Sequence, residues 1–187
     1  MSKTIKIIII AVVIIGAIIL YATSVYNKLV TMSTSVDAQW AQVETQYQRR
    51  VDLIPNLVES VKGVMKQETT VFLGIAEARK SYAGATSVEE KVKAGNQVES
   101  ALGKLLVIME NYPQLNSSQS VQTLMAQLEG AENRISVERT RYNDAVKTFN
   151  LTIKKLPVNI FAGMFGFIQR DYFEAAPGAE NAPSVSF

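Results

Sequence analysis

Between Lys6 and Lys28 the chain carries no charged residue for 21 positions, Ile7 to Asn27. Residues 7–22 are apolar or small apart from Tyr21, and Ile7, Ile10, Val13, Gly16, Ile19 and Tyr21 mark successive turns of that run. As a helix the charge-free stretch measures about 31 Å, the thickness of a bilayer's hydrocarbon core. Isoleucine and valine are poor helix formers in water. In lipid every backbone N–H must find its partner within the segment, and that imposes the helix. Tyr21 and Tyr26 fall where aromatic side chains line a membrane boundary. The run therefore predicts a short tail over 1–6, a transmembrane helix over 7–27, and a body that begins at residue 28. A cleaved signal peptide is the competing reading. Against it, the run is longer than the ~7–15 apolar residues of a secretory core, and Ala22-Thr23-Ser24 is a poor cleavage site inside an unbroken helical pattern. Lys3 and Lys6 precede the run and only Lys28 lies close on its other side. The positive-inside rule then gives a single-pass protein of the cell membrane with a cytoplasmic N-terminus.

Charge and composition exclude whole classes of function. Lys and Arg number 19 against 17 Asp and Glu, and Lys3 with Lys6 supplies the entire excess. The body past the membrane run is neutral, so it lacks the basic face that nucleic-acid binding needs. Cysteine and histidine are both absent. Disulfides, thiol nucleophiles, and zinc or catalytic sites built on imidazole are thereby removed. No cofactor and no metal is expected.

The body reads as helical. Val36, Trp40, Val43, Tyr47 and Val51 recur at steps of three and four, with Asp37, Gln39, Gln42, Glu44, Gln46 and Gln48 between them. No Gly or Pro interrupts 17–54, so the membrane helix continues into this one. Near 49–55 a change of direction is expected, with Asp52 capping a second helix and Pro55 in its first turn; a kinked continuous helix is the alternative. The second helix carries Leu57, Val58, Val61, Met65, Phe72 and Ile75, and ends over 81–86. Ser87-Val88-Glu89-Glu90 is a capping box for a third helix bearing Val88, Val92, Val98, Leu102, Leu105, Leu106 and Met109. Tyr112-Pro113 stops it. A fourth helix bears Val121, Leu124, Met125, Leu128, Ile135, Tyr142, Val146, Phe149 and Ile153, and ends before Pro157. The expectation is an all-α protein whose N-terminal transmembrane helix runs into an antiparallel up-and-down bundle of long helices over 28–156. An apolar segment and irregular tail fill 157–187. From Ala22 to Val51 the first helix climbs about 43 Å, and the fourth descends that height by about Lys147, which brings the apolar stretch 160–168 to the bilayer surface.

These motifs resemble the LemA family of membrane-anchored helical proteins. The resemblance rests on Tyr26-Asn27-x-Leu29-Val30, Trp40, and Arg49-Arg50-x-Asp52-Leu53-Ile54-Pro55-Asn56-Leu57-Val58 with Val61-Lys62-Gly63. It continues through Leu102-Gly103, Tyr112-Pro113-x-Leu115, Glu132-Asn133-Arg134-Ile135, Arg141-Tyr142-Asn143-Asp144-Ala145-Val146, Phe149-Asn150, Pro157, Phe165-Gly166-Phe167 and Tyr172-Phe173-Glu174. It implies a short tail, one span and an antiparallel helical domain, and no particular reaction. Gln67-Glu68 stands where the family often has His-Glu, and Gln114-Leu115-Asn116-Ser117 where it often has Asp-Leu-Lys-Ala.

Arg49, Arg50, Asp52 and Asn56 are expected at the membrane-distal corner beside Tyr112, as a docking surface for a protein partner or as a network closing helix-end carbonyls. Glu129, Glu132, Arg134, Glu138, Arg139, Arg141 and Asp144 alternate in sign along the fourth helix and read as intrahelical or intersubunit ion pairs. Phe161, Met164, Phe165, Phe167 and Ile168 have three readings: entry into the membrane interface, contact with a neighbouring subunit, or folding back over their own bundle. The tail 177–187 is loop-like. Its terminal Val-Ser-Phe could add as a strand to a receptor, against the plainer reading of a loose terminus.

The leading expectation is a single-pass, non-enzymatic protein, partnered by the lipid bilayer and by copies of itself in a scaffold or envelope-organising assembly. A thin bundle leaves Trp40 and its apolar flank uncovered, and tethering raises the effective concentration for lateral contact. The alternative is a membrane-tethered sensor or adaptor that binds a protein partner through the distal corner.

Overall fold

A computed structural model describes residues 2–173. Six helices are present among them: α1 Lys3–Lys62, α2 Thr69–Gly84, α3 Val88–Met109, α4 Pro113–Asn116, α5 Gln119–Lys154 and α6 Val158–Met164. The described residues contain no strand. The terminal tail, with its Val-Ser-Phe, lies outside them.

The expected break at 49–55 is absent. α1 passes through Pro55 and ends at Lys62. A proline inside a helix removes one hydrogen bond and crowds the carbonyl four residues back, at a cost of about 3 kcal/mol. Here Val51, Ile54, Leu57 and Val61 are all buried on both sides of the proline, and one continuous apolar stripe offsets that local cost. Asp52 caps nothing; it is exposed and accepts a 2.7 Å hydrogen bond from Gln48 Nε2. The chain turns instead over 63–68, after Lys62-Gly63, with Met65 buried in the corner. Leu57, Val58 and Val61 therefore belong to α1, and α2 buries Ile75, Ala78 and Tyr82.

The capping box forms as its spacing requires. Ser87 Oγ accepts from the Glu90 N–H at 3.1 Å, and Glu90 Oε2 accepts from the N–H groups of Thr86 at 2.8 Å and Ser87 at 3.2 Å. The Thr86 N–H foremost, and then that of Ser87, hold the Glu90 carboxyl below the usual carboxylate range.

The chain divides into two compact units, Met1–Ala41 with Thr140–Phe173, and Gln42–Arg139. In the first, α1 runs antiparallel to the end of α5 around Val25, Leu29, Val36, Val146, Phe149 and Ile153. Its N-terminal portion holds an apolar window, none of it buried in the protein, that is long enough to cross a membrane. In the second, segments of α1, α2, α3 and α5 alternate in direction around Val43, Ile54, Leu57, Val98, Leu105 and Ile135.

Gly95 in α3 packs directly against the Tyr47 ring of α1. A Cβ there would overlap the ring of Tyr47, whose Cζ would lie 2.9 Å away. Alanine would gain about 1 kcal/mol of helix propensity but crowd a fully buried ring. Gly95→Ala is expected to lower stability by about 1–3 kcal/mol, the usual cost of overpacking. A thermal melt followed by circular dichroism reads this; a raised melting temperature would show that the ring can give way.

Candidate functional site

In the Gln42–Arg139 unit the polar groups gather around Arg50. Its side chain is 2% exposed. Nη1 pairs with Glu132 of α5 and lies 4.0 Å from Glu99 of α3, while Nη2 donates to the Gly95 carbonyl at 2.9 Å. The guanidinium sits 5.2 Å from the centre of the Tyr47 ring, and Arg139 lies 5.3 Å from the same ring. Arg139 Nε donates to the Tyr47 hydroxyl at 3.1 Å, and Nη2 reaches Asn96 Oδ1 at 3.3 Å. Tyr47 packs on Tyr82 at 5.9 Å, and Lys91 sits over Tyr82 while pairing with Glu44 at 3.1 Å. Burial first, and then the Glu44 charge, push the Tyr82 hydroxyl well above its ordinary range. This belt ties α1, α2, α3 and α5 together.

The structure does not bring the expected corner together. Arg50 is withdrawn from the surface, about 18 Å along α1 from the turn at Lys62. Arg49, Asp52 and Asn56 lie exposed on another stripe of α1. Tyr112 is half-buried at the end of the unit, where its hydroxyl donates to Glu68 Oε1 at 3.2 Å. Partial burial first, and then the Glu68 contact, raise its pKa. Along α5, Glu132 and Arg139 reach across to α1 of the same chain, a cross-helix role that the expectation of intrahelical or intersubunit pairs did not include. Beside Arg50 an open groove of about 780 Å³ runs between α3 and α5, walled by Leu102, Leu106, Val121, Met125 and Leu128, with Glu99 and Glu132 at its polar end.

The other unit clamps its C-terminal segment. α6 ends in a Schellman turn: the Phe167 N–H reaches the Ala162 carbonyl at 3.0 Å, the Gly166 N–H reaches Gly163 at 3.3 Å, and Gly166 takes φ +76°. That left-handed position suits glycine because it has no Cβ. The chain then runs back along α5. Asn150 exchanges two hydrogen bonds with the backbone of Arg170, at 2.8 and 2.9 Å. Asn143 does the same with Phe173, at 3.2 and 2.9 Å. The two asparagines are two helix turns apart, about 10.5 Å, which three extended residues match at about 10 Å. The Tyr142 hydroxyl donates to the Asp171 carbonyl at 3.2 Å, and burial raises its pKa. Arg170 reaches Asp37 and Ser33 of α1, both at 3.2 Å.

Aromatic rings line this clamp. Phe173 stacks on Trp40 at 5.6 Å and meets Tyr142 edge-on at 5.1 Å, so the Trp40 that the sequence left uncovered is roofed by its own chain. Tyr26 holds Phe165 and Phe167 at 5.1 and 6.0 Å, and Tyr21 holds Phe161 at 5.6 Å. Of the segment's five candidates, Phe161, Phe165 and Phe167 thus fold back on their own unit. Met164 and Ile168 point outward, 74% and 76% exposed. Periodicity missed the clamp, because Asn143 and Asn150 read as ordinary polar positions of a long helix.

A match to the LemA family model spans 39–187 and takes in Arg50 with its partners, Trp40, both asparagines and Phe173. The chain belongs to the LemA family. Its relatives include magnetosome protein MamQ 2 of Paramagnetospirillum magneticum, 28% identical over 181 residues, covering 83% of this chain and 66% of the relative. MamQ of Magnetospirillum gryphiswaldense is 27% identical with the same coverage. The chain thus spans about 66% of the length of these relatives. Within this LemA-family chain the paired asparagines, Phe165-Gly166-Phe167 and Phe173 form one device, and Arg50 forms the other.

Proposed function

We propose that this LemA-family chain is a single-span membrane protein without enzymatic activity, and that its helical body assembles with copies of itself as an envelope scaffold. The groove between α3 and α5 carries this reading, being open, mostly apolar and about 780 Å³ in volume. Tethering to one membrane supplies the second part, since confined copies meet at high effective concentration. A non-catalytic role draws support from the described polar groups: Arg50, Arg139, Lys91 and Tyr47 are spent on holding helices together. Similarity to the magnetosome proteins MamQ accords with a structural role at a membrane. Trp40 no longer contributes, because Phe173 covers it. The adaptor reading is weaker for a similar reason, since its central residue Arg50 is internal.

Mass measurement of the full chain in mild detergent tests the proposal. Oligomers are expected at micromolar concentration, and a Leu106→Glu, Met125→Glu double variant should revert to monomer with its helicity intact. A wild type that is monodisperse and monomeric would overturn the scaffold reading.

A further inference from the structure

We infer that α6 is a second membrane contact: its outward face enters the lipid surface beside the span, under a lysine girdle that meets anionic headgroups. The inference rests on the reading of 7–27 as a membrane span. Ile160 and Met164 lie one turn apart on α6 and share a face, 57% and 74% exposed. Leu156, in the turn before α6, and Ile168, beyond the Schellman turn, are exposed as well, at 77% and 76%. The opposite face is occupied, with Ala162 buried and Phe161 against Tyr21. α6 is thus a thin amphipathic element whose apolar side has no protein cover among the described residues.

Its level along α1 identifies the occupant. Tyr21, the partner of Phe161, lies within the charge-free run, seven residues before Lys28. That places Phe161 about 10 Å to the lipid side of Lys28, the depth at which interfacial helices lie. The contact of Trp40 with Tyr142 fixes the antiparallel register. Twelve residues down each helix from that contact stand Lys28 and Lys154, about 18 Å away along both, with Lys155 adjacent. Three lysines therefore ring the unit just above the apolar face, where ammonium groups reach anionic headgroups. A partner protein would have to dock within the thickness of the bilayer to cover the same residues.

The chain has no cysteine, so single cysteines label cleanly. Ile160→Cys, Met164→Cys, Ile14→Cys and Gln48→Cys, each carrying an environment-sensitive fluorophore, are reconstituted as the full chain in vesicles of phosphatidylcholine with or without phosphatidylglycerol. Positions 160 and 164 are expected to be quenched several-fold more by a shallow lipid nitroxide than by a deep one. Position 14 should show the reverse, and position 48 should respond to water-soluble quencher alone. Lys154→Glu with Lys155→Glu should reduce the gain from anionic lipid by about fivefold or more. Aqueous quenching at 160 and 164 with position 14 still embedded would overturn the contact and leave the span standing. Loss of lipid quenching at position 14 would instead overturn the span itself. Protection at 164 that disappears when the chain is diluted in excess lipid would assign the face to a second copy and reject the inference. An unchanged response in the lysine variant would remove the headgroup assignment.

Discussion

Arg50→Glu is expected to destabilise the Gln42–Arg139 unit by about 3–5 kcal/mol, whereas the same reversal one residue earlier, Arg49→Glu, leaves its stability nearly unchanged. Arg50 is 2% exposed, and its guanidinium serves Glu132, the Gly95 carbonyl and the Tyr47 ring together. The pair with Glu132 is not the main loss. That carboxylate is 41% exposed and can be solvated by water. The larger loss is internal: the reversal buries a carboxylate beside Glu132, near Glu99 and against the Gly95 carbonyl, with no donor in place of the guanidinium. Uncompensated buried charges of this kind cost about 3–5 kcal/mol, against about 5–15 kcal/mol for the whole stability of a typical domain. Arg50→Met keeps the stem's packing and should cost distinctly less than the reversal, which separates charge burial from lost contact area. Arg49 is exposed, and its reversal should shift stability by less than about 1 kcal/mol. Helicity at 222 nm through a urea titration reads all three variants. If Arg49→Glu and Arg50→Glu melt together, the buried belt is not what holds these four helices.

Adjacent residues on a helix point about 100° apart, and that phase is what separates the two arginines. Arg50 falls in step with Val43, Tyr47 and Ile54, and all four are buried. Its burial was therefore legible, but arginine is so seldom buried that residue type outweighed phase in the sequence reading. The turn after α1 misled for the opposite reason. Pro55 is a strong local signal, and it yielded to burial spread over Val51, Ile54, Leu57 and Val61, while the plainer stop at Lys62-Gly63 carried the real boundary. Features written within a few residues came through intact: the apolar run, the Ser87–Glu90 capping box and the stop at Tyr112-Pro113. The clamp did not, because Asn143 and Asn150 find their partners 30 and 20 residues away on irregular chain that no periodicity describes.

Replacing both clamp asparagines by alanine is expected to release 167–173 from α5 while leaving the helices formed. Each amide supplies a donor and an acceptor to one backbone position, so each substitution strips two hydrogen bonds from the returning segment. Water can replace part of them, since Arg170 is exposed, and the net cost is about 1–3 kcal/mol per site. That range corresponds to about fivefold to 150-fold faster exchange of the Arg170 and Phe173 amides. Trp40 is the chain's single tryptophan, and Phe173 stacks on it directly, so its emission should move to the red as the segment departs. Asn143→Asp divides the effect: a carboxylate still accepts from the Phe173 N–H but has nothing to donate to the carbonyl, and the loss should fall between wild type and alanine. The two sites share one segment and should couple, the double variant differing from the sum of the singles by more than about 0.5 kcal/mol. Additive losses with unmoved Trp40 emission would mean that the aromatic stack holds the segment without its asparagines.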